Sequence, residues 1–233
     1  MPLPKIDQPI FTMTVPSSGA KIKYRPFTVK EEKILLIAQE SKELEQMITA
    51  IKQVVGNCLL DCDVESLALF DYEYILLNIR AKAVNNVVQF QVKDPETEQM
   101  VDLELDINEV TIDTDPKHNP LISVGDTITI KMKYPKLDVV TSLKQTNLEG
   151  SPEMFNVMTG CIDAVVEGDD VFKLKDFTPE EVDAFVDSLS SVTLNDIKTF
   201  FDTMPKMRIE KKYTNSKGDE RTFVASGTET FFI

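Results

Sequence analysis

Short segments in which apolar and polar residues alternate run through this chain, and each of them predicts a strand. Residues 10–15 and 20–27 alternate on either side of the turn PSSG and predict an N-terminal hairpin. Residues 87–92 and 101–107 alternate around the turn DPETE, so a second hairpin is expected there. Residues 204–232 hold two more alternating runs around a glycine-containing turn and predict a third hairpin.

Residues 127–134 form one further alternating run, in which three apolar residues share a face and Lys131 and Lys133 lie on the other. If this strand pairs with residues 101–107, its lysines offset the carboxylates there, at roughly 0.2–1 kcal/mol per pair. The lysines would then stabilise an otherwise acidic sheet.

Other segments repeat their apolar residues at helical spacing. Thr28 and Glu31 match a capping box, in which each side chain satisfies a backbone amide at the start of a helix. Residues 44–59 carry the clearest amphipathic pattern, whereas residues 69–84 are apolar nearly all round and predict a buried helix. Two further segments are interpreted as helices: residues 135–147 and 151–168.

Two helices are predicted near the C-terminal hairpin. Thr178, Pro179 and Glu181 form a second capping box, with proline at the first helical position. Residues 193–204 have helical spacing, and Pro205 ends that helix. Helices combined with antiparallel hairpins predict an α+β fold without a parallel doubly wound sheet.

The order of elements predicts three parts. Residues 1–27 are expected to form an N-terminal hairpin arm, residues 28–135 a helical region with an acidic hairpin or meander, and residues 136–233 a helical region with the C-terminal hairpin. A buried helix followed by a charged hairpin occurs twice, at residues 70–107 and 193–232, without a strict period. We interpret this as structural similarity and not as a repeat array.

The charge of the chain is negative and unevenly distributed. A formal net charge of −14 disfavours nucleic acid as a partner, because Lys and Arg supply most of the affinity for phosphates. The acidic stretch, residues 94–115, has nine carboxylates and no Lys or Arg, and the second acidic stretch, residues 161–190, has nine carboxylates and two lysines. The basic stretch, residues 206–221, has six basic and three acidic residues. Segregated acidic and basic faces are expected.

Composition also sets expectations about compartment. No run of about 18 apolar residues occurs, and the start of the chain lacks the pattern of a secretory signal, so no stable membrane association is expected and the chain should remain in the cytosol. Three cysteines, Cys58, Cys62 and Cys161, cannot all pair with one another and are expected to be reduced thiols.

No motif carries a specific catalytic signature, so no enzyme activity, cofactor or metal is expected. The single histidine, His118, is interpreted as an exposed and incidental loop residue. Cys58 and Cys62 could hold two positions of a metal on one helical face, but a closed zinc site needs four ligands and core thiols are favoured. Residues 167–170, EGDD, lack the oxygen spacing of a calcium loop and are interpreted as a solvated acidic turn.

Two carboxyl groups leave a catalytic alternative open. Asp71 and Glu73 lie among aromatic residues, where burial would raise a carboxyl pKa toward general-acid use. The simpler interpretation makes Asp71 a helix cap. A cluster of phenylalanines is likewise interpreted as core in preference to a ligand pocket: Phe200, Phe201, Phe231 and Phe232.

The order of four motifs resembles a known family. A helix with DYEYILLNIRAKAV leads into an acidic hairpin, the capped TPEEVDAFVDSL follows, and FFDTMPKMRIEKKY precedes a closing ASGTETFF. In this order they resemble the baseplate hub assembly proteins of T-even-type contractile-tailed bacteriophages, most strongly at residues 63–92 and 178–232. Some members of that family carry zinc-knuckle cysteine pairs in their hairpins. VKDPETEQM and YTNSKGDER have no cysteine, so the resemblance does not extend to metal binding.

The resemblance implies a non-enzymatic role in assembling the central hub of the tail baseplate, as a chaperone for hub subunits. A stoichiometric structural subunit of the virion is the first alternative. The implied partners are other phage hub and tail proteins, and the implied location is the host cytoplasm during tail assembly or the virion baseplate. A further alternative is an acidic decoy that occupies a nucleic-acid-binding protein through the two acidic stretches.

The C-terminal hairpin is the predicted partner-binding element, because it is basic within an acidic protein and an exposed hairpin edge can add a partner strand. Phe231 and Phe232 are expected either to anchor the last strand to the core or to contribute to the binding surface. The predicted partner-binding residues are Arg208, Lys211, Lys212, Lys217, Phe231 and Phe232.

Overall fold

The computed structural model describes residues 6–83, 86–138 and 152–226. These residues form helices and antiparallel sheets, which confirms the predicted α+β class. The helices are α1 (Val29–Ser41), α2 (Leu44–Cys58), α3 (Leu69–Ala83), α4 (Pro152–Gly160), α5 (Pro179–Asp187) and α6 (Ser191–Thr203). The strands are β1 (Phe11–Thr14), β2 (Lys21–Tyr24), β3 (Val87–Lys93), β4 (Met100–Asp106), β5 (Thr111–Asp113), β6 (Leu121–Val124), β7 (Ile128–Met132), β8 (Ile162–Glu167), β9 (Asp170–Lys173), β10 (Lys206–Thr214) and β11 (Glu220–Ser226).

The chain divides into two compact units. Unit 1 comprises Met1–Asp113 and Lys206–Ile233, and unit 2 comprises Thr114–Pro205. This grouping differs from the three consecutive parts expected from the sequence. The physical reason is that β10 pairs with β5, so the C-terminal hairpin belongs to the same unit as the first half of the chain.

The N-terminal hairpin of unit 1 is joined to the end of α2. β1 and β2 pair antiparallel, and Tyr24 at the end of β2 forms a further bridge with Leu59. The backbone N–H of Arg25 donates to the carbonyl of Cys58 at 3.0 Å. These contacts connect the predicted hairpin to the rest of unit 1.

The helices α1 and α2 are separated at Lys42, which adopts the left-handed conformation with φ 56°. At the start of α1, the Glu31 carboxylate accepts hydrogen bonds from the N–H of Thr28 at 2.9 Å and from its hydroxyl at 2.6 Å. The sequence-predicted pairing of these two residues is therefore present. The predicted amphipathic pattern of α2 is confirmed by its buried side: Ile48, Ala50, Ile51, Val54, Val55 and Cys58.

α3 is the central helix of unit 1 and is buried on most sides, as its apolar sequence predicts. Its C-terminal half packs into a core that both the β3–β4 and the β10–β11 hairpins share. That core consists of Leu77, Ala81, Leu105, Ile107, Val110, Met207 and Ile209.

Unit 2 is built on a four-stranded antiparallel sheet with the order β6-β7-β8-β9. The predicted strand at residues 127–134 is β7, but it pairs with β6 and β8 and not with β4. The expected offset of the β4 carboxylates is therefore wrong. Lys131 instead forms an ion pair with Asp163 of β8, with Nζ 3.3 Å from Oδ2.

The helix expected at residues 151–168 is only half correct, because α4 ends at Gly160 and β8 follows. In β8 the residues Ile162, Ala164 and Val165 are buried, so this strand carries a nearly continuous apolar run. Such a run cannot be distinguished from a buried helix by periodicity. Most of the other helix expected in this region, at residues 135–147, lies outside the described residues.

The two helices predicted near the C-terminal hairpin are confirmed. At the start of α5, the carboxylate of Glu181 accepts from the N–H of Thr178 at 2.9 Å, and the Thr178 hydroxyl accepts from the N–H of Glu181 at 3.4 Å. α6 is capped by Ser190, whose hydroxyl accepts from the N–H of Thr193. Phe200 of α6 is buried in the core of unit 2, as predicted.

Candidate interaction surface

The turn of the β3–β4 hairpin is built around Asp94, whose side chain is buried. Its Oδ1 accepts hydrogen bonds from the N–H groups of Glu96 at 3.1 Å and Thr97 at 2.7 Å. This Asx-type turn holds Glu98 in the left-handed region, at φ 56°. Hydrogen bonds from Tyr213 and Thr97 lower the pKa of Asp94 to about 2.

The turn of the β10–β11 hairpin has the same construction. Oδ1 of Asn215 accepts from the N–H groups of Lys217 and Asp219, each at 3.0 Å. Gly218 follows with φ 89°, a conformation that strains other residues. The turn therefore depends on the polar side chain of Asn215 and on a residue without a side chain at position 218.

Tyr213 of β10 joins the two hairpins. Its hydroxyl donates to Oδ2 of Asp94 at 2.7 Å, which raises the pKa of the tyrosine. Close by, the ring centroids of Phe90 and Phe223 lie 5.4 Å apart. The two hairpins are thus held together by a partly buried hydrogen bond and an aromatic contact, and are called the paired hairpins below.

The cations of the basic stretch pair with carboxylates of the acidic stretch. Nζ of Lys217 lies 3.1 Å from Oε1 of Glu96, and Arg221 also pairs with Glu96. Nζ of Lys211 lies 2.9 Å from Oε2 of Glu109. The hydrogen bonds from Lys217 and Arg221 lower the pKa of Glu96. The expected segregation of acidic and basic faces is wrong for these two stretches, because the fold brings them together.

The structure places the predicted partner-binding residues in different situations. Arg208 pairs with Asp113 at 3.3 Å and with Glu210 at 3.2 Å. Lys212 is exposed and makes no ion pair within the part of the chain that the structure describes. Its role in binding, like that of the other cations, stays a prediction. Two predicted residues lie outside the described residues: Phe231 and Phe232.

A groove of about 430 Å³ runs along the paired hairpins. Residues 90–93 of β3 and 221–224 of β11 line it, together with Pro95 and Tyr213. The side chains of consecutive strand residues point to opposite faces of a sheet. Four consecutive residues of β3 and four of β11 line this groove, so the groove lies along the edges of these two strands and not on one face of a sheet. Among the described strands, β3 pairs only with β4 and β11 only with β10. Their outer edges can therefore receive a further strand.

Residues 8–233 of the chain match the protein family described as "T4 bacteriophage base plate protein". The chain belongs to this family. No curated protein and no solved structure matches it. The resemblance found in the sequence is confirmed at the level of a T4-type phage baseplate protein, and the family implies that other baseplate proteins are its partners.

The two carboxyl groups considered for catalysis are buried in this baseplate protein. Because α3 begins at Leu69, Asp71 is its third residue and caps the helix by accepting the N–H of Ala68 at 2.9 Å. Burial raises the pKa of Asp71 in spite of hydrogen bonds from Ser17 and Ala68. Burial also raises the pKa of Glu73, to about 8. Asp71 is fully buried, and Glu73 is 6% exposed.

His118 of the baseplate protein is half-buried in unit 2, so the expectation of an exposed residue is wrong. Its Nδ1 lies 3.1 Å from Oγ1 of Thr203, and its Nε2 lies 3.0 Å from the hydroxyl of Tyr134. Its ring stacks on Tyr134 and packs against Phe200. Burial lowers the pKa of His118, which favours the neutral ring. The residue forms part of an aromatic core.

The cysteines of the baseplate protein are not arranged as a metal site. Cys58 is the last residue of α2, and Cys62 lies beyond the end of that helix, so the two do not share a helical face. Among the described residues, no three His, Cys, Asp or Glu side chains are grouped to hold a metal ion. None of the described helices has the length and apolar content that a membrane span requires.

Sequence reasoning missed the residues that shape the paired hairpins. Asp94 is followed by Pro, and Asn215 is followed by Ser-Lys-Gly. Asp and Asn in such positions typically accept hydrogen bonds from backbone N–H groups of the turn that follows them. The two turns were predicted from the sequence, and this local signal could also have identified Asp94 and Asn215 as the residues that shape them. The bond between Tyr213 and Asp94 joins residues 119 positions apart and has no local signal.

Proposed function

We propose that this baseplate protein acts without catalysis in assembly of the baseplate hub, as a chaperone that binds hub subunits. The observation that carries the proposal is the groove along the outer edges of β3 and β11. An extended segment of a hub subunit would gain backbone hydrogen bonds from one of these edges and apolar contacts from Phe90 and Phe223. The groove is thus suited to binding a strand of a hub subunit before that subunit is incorporated into the hub.

The charges of the paired hairpins support partner selection more than raw affinity. Lys211, Lys217 and Arg221 already pair with carboxylates of their own unit, and exposed ion pairs contribute only about 0–1 kcal/mol each. Rim charges act mainly on orientation and association rate. The decoy alternative loses support in the acidic stretch, because Glu96 and Glu109 there already pair with Lys217 and Lys211.

A non-enzymatic role is supported by the surroundings of the acidic residues in α3. A general acid must come within hydrogen-bond reach of its substrate. Asp71 is fully buried, with its oxygens bonded to Ser17 and Ala68, and Glu73 is buried as well. The hydrolase alternative would require these side chains to become accessible.

Quantitative mass spectrometry of purified virions and infected-cell lysate tests the chaperone proposal. The chain should be abundant in lysate, should co-purify with hub intermediates, and should be absent from virions. A fixed ratio to baseplate subunits in virions would overturn the chaperone role and assign the chain as a structural subunit.

A pair of variants tests the surface itself. Val224 lines the groove and is 51% exposed, so Val224→Lys should weaken co-purification of hub subunits. Val192 of α6 is 73% exposed and lies in unit 2, so Val192→Lys is the matched control. Equal recovery of hub subunits with both variants would remove the groove from the proposal.

A further inference from the structure

Unit 2 contains a groove of its own, of about 380 Å³, between the sheet and α5. The sheet contributes Val165 and Phe172, the segment before α5 contributes Phe177, and α5 contributes Val182 and Phe185. This volume lies within the range of about 300–1,000 Å³ that is typical of pockets for small ligands, so the groove can take a few apolar side chains. The groove is built almost entirely from apolar side chains.

The walls of this groove are incompletely packed within the described structure. α5 has Val182 and Phe185 on one side, yet none of its residues is buried. All four residues of the edge strand β9 are exposed as well. Phe172 and Phe177 are 39% and 42% exposed, with ring centroids 6.3 Å apart. Clustered exposed aromatic residues of this kind mark a binding surface.

The polar residues of the groove are acidic. Glu167 and Glu181 are its two charged lining residues, and none of the described lining residues is basic. The surrounding second acidic stretch has nine carboxylates against Lys173 and Lys175. A segment that enters the groove therefore meets apolar walls and a negatively charged rim.

We propose that the unit 2 groove docks an apolar segment of a partner protein that carries Lys or Arg on its flanks. The apolar residues of the segment cover Phe172 and Phe177, and its flanking cations lie against Glu167 and Glu181. The inference rests on the proposed function only in taking this partner from the same assembly. It adds a second contact, in a different unit from the paired hairpins.

Two other occupants fit the charge less well. In a symmetric dimer, a second copy would bring an identical acidic rim against the first, and like charges oppose each other. Residues 227–233 of the chain itself include apolar side chains but also Glu229 and no cation. A foreign segment with basic flanks complements the rim, whereas these two do not.

Fluorescence anisotropy with the full chain tests the proposal without any phage component. The probe is a synthetic peptide with a central run of Leu and Phe and lysines at both ends, and its control has the same run flanked by glutamates. The lysine-flanked peptide should bind at least about tenfold more tightly than its control. Binding should weaken at least about tenfold in Phe177→Ser and measurably in Glu167→Gln. Val192→Ser, which removes an exposed apolar side chain outside the groove, should leave binding unchanged.

Each other outcome overturns the proposal. Equal affinity for both peptides, no binding of the lysine-flanked peptide, or unchanged binding by Phe177→Ser in a chain with wild-type circular dichroism would remove the groove as a basic-segment site. If Phe177→Ser fails to fold, Glu167→Lys replaces it, and unchanged affinity in that variant has the same meaning. Sedimentation of the wild type as a dimer that Phe177→Ser dissociates would assign the groove to a second copy. A gain in affinity after removal of residues 227–233 would assign it to that segment. Because the peptide assay is independent of hub assembly, its failure leaves the proposed function standing.

Discussion

Ser17 donates two hydrogen bonds to the buried carboxylate of Asp71, from its N–H to Oδ1 at 2.9 Å and from its hydroxyl to Oδ2 at 2.5 Å. Ser17 lies in the turn of the N-terminal hairpin, and Asp71 lies in the first turn of α3. The pair therefore joins the first hairpin to the central helix of unit 1. Asp71 also accepts the N–H of Ala68, so one carboxylate caps the helix and holds the hairpin turn.

Replacing Ser17 by alanine should lower the free energy of unfolding by about 1–3 kcal/mol, because a buried carboxylate loses a charge-assisted bond. Urea denaturation followed by circular dichroism measures the change. Ser18→Ala is the control. The exposed hydroxyl of Ser18 accepts a hydrogen bond from the N–H of Ala20 at 3.3 Å, so the variant should stay within about 0.5 kcal/mol of wild type. Equal stability of the two variants would contradict a structural role for the Ser17 bond.

Glu73 should make the protein less stable as the pH rises. Burial raises its pKa in the folded chain from 4.5 to about 8. Between these values the unfolded chain has lost a proton that the folded chain retains. The free energy of unfolding therefore falls by up to about 1.4 kcal/mol per pH unit over this interval and levels off above it.

The variant Glu73→Gln isolates that contribution. Its stability relative to wild type should increase from about pH 5 to about pH 8 and then remain constant. Denaturation curves at a series of pH values measure the difference. Parallel pH profiles for the two proteins would show that Glu73 does not titrate as its buried position requires.

Glu31 should produce the opposite pH dependence. Burial alone would raise its pKa, but hydrogen bonds from Arg25 and Thr28 outweigh burial and lower the pKa to about 2. The resulting stability is present above the ordinary pKa of 4.5 and is lost as the pH falls toward 2. Glu31→Gln should be less stable than wild type at neutral pH, and the two should converge in acid. Glu32→Gln, at an exposed neighbouring position, should follow the wild-type profile.

Charge reversal separates the two adjacent lysines of β10. Lys211→Glu breaks an ion pair with Glu109 and places two like charges together, so it should lower both stability and hub association. Lys212→Glu acts at an exposed position that has no such pair among the described residues, so it should weaken hub association and leave the melting temperature within about 2 °C of wild type. Co-purification and thermal melts measure these outcomes. Undiminished association with Lys212→Glu would exclude this lysine from the partner surface.

The three thiols should differ in reactivity. Burial raises the pKa of all three thiols, and those of Cys58 and Cys161 reach about 11, but Cys62 alone is half-buried while the other two are buried. Alkylation of the native chain should therefore modify Cys62 first, and the other two should react only after unfolding. Mass spectrometry counts the adducts, and Cys62→Ser should take up none in the native state. Early modification of Cys58 would contradict the packing of α2.

Local signals explain which parts of the fold were predictable. The cap of α5 depends on Thr178 and Glu181, and each hairpin turn depends on residues within a few positions of one another. Contacts between distant segments left no such pattern. The pairing of β5 with β10 and the Lys211–Glu109 ion pair join residues about a hundred positions apart. Alternation predicted β10, but it predicted neither β5 nor the pairing of the two strands.

The candidate site was also predictable only as far as local sequence signals extend. Sequence placed the basic residues on the C-terminal hairpin but treated their charge as available to a partner. The structure pairs Lys217 and Arg221 with Glu96, which changes what a substitution at those positions would report. The groove between β3 and β11 arises only when two separate hairpins come together, so it could not be predicted from either one.

The pairing of β5 with β10 sets an order of events during protein synthesis. In their register Asp113 lies opposite Lys206, so the chain leaves unit 1 and returns to it at neighbouring positions. Met207 and Ile209 complete a core that α3 and β4 began much earlier on the ribosome. All of unit 2 is translated before these two residues emerge. Unit 1 is therefore the first to begin and the last to finish, and a nascent chain stalled anywhere in unit 2 leaves the apolar core of unit 1 incomplete and exposed to solvent.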